Sequence, residues 1–183
     1  MGKWEAHFER IQKNDSLTSN EKAEILHGLK ALREIFDDAW LWENAGKGFT
    51  HPLMNYLGNY APISLQWLAS FGIKLHIIKD VVGFKEIVSR LRNAQEYRGA
   101  EAEVETVGKL AIANIKDIQL YPKVMVNGKL KKSDIKVTLD DIDFYFEVTT
   151  LGDSEASVKA NETFQELDFL FAPEINRFCQ VYD

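Results

Sequence analysis

Three carboxylates and a group of lysines are the residues of this chain best suited to chemistry. Asp134 and Glu147 lie in the stretch Ser133 to Thr150, whose two arms alternate apolar and polar residues around a short acidic turn. Such alternation predicts two β-strands. In the first arm Asp134, Lys136 and Thr138 fall on one face, and Ile135, Val137 and Leu139 on the other. In the second, Asp143, Tyr145, Glu147 and Thr149 oppose Phe144, Phe146 and Val148. Asp134 and Glu147 are therefore expected on one face of one sheet, as a metal-binding pair requires.

The third carboxylate comes from RGAEAEVETVGKL. At about 100° per residue, Val104, Val107, Leu110 and Ala111 define the buried face of a helix. Glu103 falls on the edge of that face, whereas Glu101 and Glu105 fall further round and are expected to be solvated. A carboxylate at the rim of a packed helix can reach over the sheet beneath it. Three converging carboxylates suit Mg²⁺ or Mn²⁺, hard ions that prefer oxygen ligands and keep several waters. In phosphodiester hydrolysis such an ion polarises the phosphoryl group, lowers the pKa of the attacking water and steadies the leaving oxygen. A nearby lysine offsets the charge developing in the transition state. Lys136 shares the predicted strand face of Asp134.

Lys123, Lys129, Lys131 and Lys132, with Lys136, concentrate positive charge around the preceding hairpin, next to this site. The net charge of −6 argues against a protein that coats nucleic acid nonspecifically, but leaves room for a local basic patch. Plainer readings compete. Alternation by itself normally marks a hairpin with one wet face, and a lysine run normally marks a solvated one. Asp140, Asp141 and Asp143 are read as turn-formers.

The surrounding elements read as helix first and strand later. Thr18 with Glu21 forms a capping-box pattern that opens a helix running towards Ala45, with Ile25, Leu29, Leu32, Phe36 and Trp40 as its stripe. Short helices are expected after Pro52 and from Pro62 to Phe71. Trp40, Trp42, Tyr56, Tyr60 and Trp67 are expected in a core or interface. Helical periodicity resumes at Phe84, as one helix or as two joined near Arg98-Gly99. A β-rich section starts near Ile118, with an edge or bulge at Tyr121-Pro122 and a hairpin turn at Asn127-Gly128. Beyond Thr150, Asp153 or Ser154 is expected to cap a helix, and RFCQVYD to form a last strand. The shift of character places a boundary between 1–83 and 84–183.

Other chemistries lack their signatures. One cysteine, Cys179, excludes an internal disulfide framework. The start lacks a signal peptide's apolar run, and no stretch reaches the ~20 apolar residues of a membrane span, so a cytoplasmic protein is expected. His7, His27, His51 and His76 show no zinc-ligand spacing. No phosphate-binding glycine loop or nucleophile elbow is present.

The order helix-Glu, strand-Asp, turn, strand-Glu resembles the PD-(D/E)XK nuclease superfamily. Within it, RGAEAEVE is similar to the helix of archaeal Holliday-junction resolvases and related nucleases. Glu103 takes the place of the helix acid, Asp134 that of the Asp in the PD element, and Glu147 that of the acid in (D/E)XK. The resemblance covers about residues 97–160. It implies an α/β, restriction-endonuclease-like core, a mixed sheet flanked by helices, at 84–183. An N-terminal helical region, 1–83, would then bind substrate or a second subunit, with homodimerisation open. It further implies hydrolysis of DNA by Mg²⁺ or Mn²⁺ held on Glu103, Asp134 and Glu147. Lys136 would assist, and Lys123, Lys129, Lys131 and Lys132 would contact the nucleic acid.

Two positions depart from the pattern: Thr149 stands where the family has lysine, and Ser133 where it has proline. The proline shapes the approach to the strand, but the lysine is chemical. Either Lys136 or Lys159 substitutes for it, or the module has lost hydrolysis and only binds nucleic acid or protein. Only 33 residues follow Thr150, so the sheet is expected to be small or the chain a fragment.

Overall fold

Seven helices and two small antiparallel sheets are formed by the described residues, 3–45 and 51–150 of the computed structural model, giving a mixed α/β structure. The helix expected at Asp153 or Ser154, the tail strand, Lys159 and Cys179 lie outside the described residues. Helix α1 (Lys3–Gln12) is an element the sequence reading did not include. It stands on Trp4, Phe8 and Ile11, spaced one and two turns apart. Trp4 and Ile11 are fully buried, and the Trp4 indole N–H donates to the Phe36 carbonyl at 2.5 Å.

Helix α2 (Ser19–Ile35) opens on the capping box, with Glu21 N–H on the Thr18 hydroxyl and Thr18 N–H on the Glu21 carboxylate. The expected continuous helix to Ala45 breaks after Phe36, and α3 (Asp38–Ala45) starts afresh. The cause is local. Asp37 accepts the Trp40 N–H at 2.8 Å, satisfying a donor that a new helix would otherwise expose. The break keeps Phe36 and Trp40 in one core, their rings 4.6 Å apart.

Helices α4 (Pro52–Gly58) and α5 (Pro62–Ile77) both begin on proline, which needs no N–H at the first turn. His51 caps α4 from a fully buried position: its Nδ1 accepts from Leu53 N–H and its Nε2–H donates to the Leu91 carbonyl at 2.9 Å. Helix α5 runs on past Phe71, because Gly72 is a packing position and no stop. A Cβ there would stand 2.1 Å from the Gly28 carbonyl oxygen of α2, so the two helices meet backbone to backbone.

Helices α6 (Phe84–Arg92) and α7 (Tyr97–Ile112) are separate, and their junction lies at Asn93, upstream of Gly99. The Asn93 carboxamide accepts from Gln95 N–H and forms a local turn that outcompetes helix.

The strands are β1 (Ile118–Leu120), β2 (Lys123–Val126), β3 (Lys129–Lys132), β4 (Ile135–Leu139) and β5 (Ile142–Phe146), in sheets ordered β1-β4-β5 and β2-β3. Ile118 pairs with Val137, and Lys123 with Lys132. Between them Tyr121 N–H bonds the Asp134 carbonyl, and Ser133 N–H the Pro122 carbonyl. The two ladders therefore form one bent ribbon in continuous register. Its bend is Tyr121, at φ 56, followed by Pro122. Asn127 and Gly128, at φ 50 and 72, make the tip, and Asp140 and Asp141, at φ 49 and 62, join β4 to β5.

One buried cluster runs from Trp4 to Val137 and takes in α1 to α7 with Ile118, Leu120, Ile135 and Val137, across the change of character near residue 84. Among the described residues no helix is long and apolar enough to cross a membrane.

Candidate functional site

Helix α7 carries Glu103 inward, beyond the rim that periodicity suggests. It is 2% exposed, among Ala100, Val104 and Val107. Such a carboxylate needs partners, and α6 and the ribbon supply them. Arg90 Nη1 lies 2.6 Å from both Glu103 oxygens and donates also to the Tyr121 hydroxyl at 2.7 Å. The Tyr121 O–H in turn donates to Glu103 Oε2. Burial works against the Arg90 charge, but hydrogen bonding and attraction to Glu103 more than offset it, leaving its pKa raised. Burial, with Glu103 beside it, raises the Tyr121 phenol as well. Tyr121 holds a left-handed backbone conformation that bulky residues rarely adopt. The conformation turns its ring into the protein, and this network holds it there.

The other two acids are placed differently. Asp134 is half-buried, and its Oδ2 accepts the Val148 N–H at 2.8 Å. Its carboxylate thus caps the chain where β5 ends. Ser133 assists, donating its hydroxyl to the Phe146 carbonyl. Glu147 follows β5 on an exposed stretch, and Thr149 is exposed with it. The register that pairs Ile135 with Phe146, carried one step on, sets Asp134 opposite Glu147. Lys136 pairs with Asp143 at 2.8 Å; that hydrogen bond raises the lysine's pKa, and bonds from Lys136 and Thr138 lower that of Asp143. Asp143 is therefore a partner of Lys136 as well as a turn neighbour.

Glu103, Asp134 and Glu147 are not gathered into one cation-holding group. Among the described residues no three His, Cys, Asp or Glu side chains could hold a metal ion together. Both oxygens of Glu103 already face a guanidinium, whose charge repels a second cation. The three carboxylates therefore do not form a single three-ligand Mg²⁺ or Mn²⁺ site.

Glu105, expected to be solvated, pairs with Lys74 of α5 at 2.6 Å. Glu101 is half-buried, and burial, opposed by Arg98 and reinforced by Glu105, pushes its carboxyl up to about 7.

The lysines stand on the ribbon. Lys123 and Lys132 are partners at its root, and Lys129 and Lys131 lie towards its tip on the opposite face. All four residues are exposed. Lys132 binds Glu86 of α6 and sits 4.3 Å over the Tyr121 ring. Among the described residues no carboxylate pairs with Lys123, Lys129 or Lys131.

Arg90 and Tyr121 are the site residues that sequence reasoning missed. Arg90 lies between core residues Ile87 and Leu91 on α6, where a charge signals a buried partner. Tyr121 was visible only as a strand irregularity. No family model matches the chain, and neither a curated protein nor a solved structure matches it.

Proposed function

We propose that this chain is a restriction-endonuclease-like module that binds duplex DNA through the β2–β3 ribbon without hydrolysing it. The fold assignment rests on the order Glu103 on helix α7, Asp134 before β4 and Glu147 after β5.

The carrying observation is how charge is divided over the module. Glu103, Asp134 and Lys136 each bond to protein groups, whereas Lys123, Lys129 and Lys131 stand exposed on a projecting ribbon. Residues 123–132 hold four lysines and no acid, in a chain of net charge −6. A two-stranded ribbon has the width that a DNA groove admits, and lysines on both faces can reach the two phosphate backbones beside it.

Fluorescence anisotropy with a short duplex tests this reading. Three phosphate contacts give a salt slope of about −2.7, so affinity falls roughly 40-fold between about 50 and about 200 mM salt. K129E/K131E is expected to weaken binding tenfold or more, and D134A to leave it unchanged. Adding Mg²⁺ is expected to produce no cleavage. Cleavage that needs Mg²⁺ and disappears in D134A would establish the hydrolytic reading instead. Absence of salt-dependent binding would refute the module.

A further inference from the structure

Phosphate binding leaves the apolar pair near the tip of the ribbon, Met125 and Leu130, unused. Met125 and Leu130 are register partners one step behind the Asn127-Gly128 turn, 66% and 62% exposed. Two large apolar side chains kept opposite one another in water are unfavourable unless a partner covers them. They share a face with Lys123 and Lys132, and Lys129 and Lys131 occupy the opposite face. The apolar pair is thus bracketed by positive charge front and back, which favours a polyanion over an apolar protein surface.

The root of the ribbon is anchored by the buried Tyr121–Glu103 bond, with the half-exposed Lys132–Glu86 pair and the lysine over the Tyr121 ring beside it. A ribbon laid face-on in a groove turns the face that carries Met125 and Leu130 towards the base pairs. Aliphatic side chains in that position act on DNA by entering a base step and unstacking it. Unstacking is unfavourable in an intact duplex and is already partly met where the stack is interrupted.

From this we infer that the Met125–Leu130 pair is an apolar wedge that seats in an opened base step. The wedge makes a duplex with a nick or mismatch the preferred ligand over an intact duplex. This inference rests on the DNA-binding reading above.

The test uses the full chain and three duplexes of one length: intact, nicked and singly mismatched, with 2-aminopurine at the interrupted step. Binding is expected to be roughly tenfold or more tighter to the interrupted duplexes, with a rise in 2-aminopurine fluorescence. In M125S/L130S, both exposed positions, the preference and the rise are expected to vanish while the affinity for intact duplex and its salt slope remain. Equal affinity for the three duplexes, or a preference that survives in the variant, overturns the wedge and leaves the binding module standing. No binding to any duplex overturns both.

Discussion

Replacing Arg90 by Met and Glu103 by Leu, singly and together, asks whether Glu103 belongs to the fold or to a metal. Arg90→Met leaves a carboxylate that is 2% exposed with the Tyr121 hydroxyl as its remaining donor. Breaking a buried pair in this way costs about 3–5 kcal/mol, because an uncompensated charge stays inside. Glu103→Leu leaves the Arg90 guanidinium, which is 25% exposed and also bonds Glu96. Water and Glu96 take over part of its solvation, so the expected cost is smaller, about 2 kcal/mol. The double variant removes both charges and leaves the Tyr121 hydroxyl unpaired, a cost of about 1–2 kcal/mol. The singles sum to about 6 kcal/mol, so a coupling of roughly 4 kcal/mol is expected.

Urea unfolding followed by tryptophan fluorescence reads these differences, since Trp4 and Trp40 both lie in the core. Thermal scans are expected to order the midpoints as wild type, double variant, Glu103→Leu, then Arg90→Met. Additivity of the two single variants within about 0.5 kcal/mol would refute the network. A Glu103→Leu protein as stable as wild type would also refute it and return Glu103 to the list of candidate metal ligands.

Two further predictions concern the helical layer. His51 is neutral in the fold: burial lowers its pKa, its bond to Leu91 opposes that only partly, and its Nδ1 must stay unprotonated to accept from Leu53 N–H. The unfolded chain therefore binds this proton first, so stability is lost as pH falls below about 6.5. His7, also lowered by burial and by Arg10, adds to the same trend. His51→Asn, which keeps a capping acceptor, is expected to flatten the dependence of Tm on pH between about 5 and 7; an unchanged slope would count against it. Gly72→Ala drives a methyl into the Gly28 carbonyl, where backbone cannot move aside. A loss of about 3 kcal/mol is expected by urea denaturation, and wild-type stability would contradict the close crossing of α2 and α5.

Much of the local structure was legible because short-range rules set it. The Thr18–Glu21 capping box, the prolines opening α4 and α5, the Asn127-Gly128 turn and the alternation of β4 and β5 need no knowledge of distant residues. Helix boundaries were less legible, because Asp37 and Asn93 ended helices through side-chain bonds that periodicity cannot weigh.

The state of the candidate acids was decided by tertiary structure alone. Periodicity placed Glu103 at a helix rim, but whether a rim carboxylate meets an ion, water or an arginine depends on what packs over it. Arg90 is 13 residues away in sequence and Tyr121 is 18, and only the docking of α6 and the bend at Tyr121 bring them together. The lysines were visible in sequence as a charge run. That they stand on a ribbon continuous with the β1–β4 ladder, with Met125 facing Leu130 at its tip, follows from register, which only the folded chain determines.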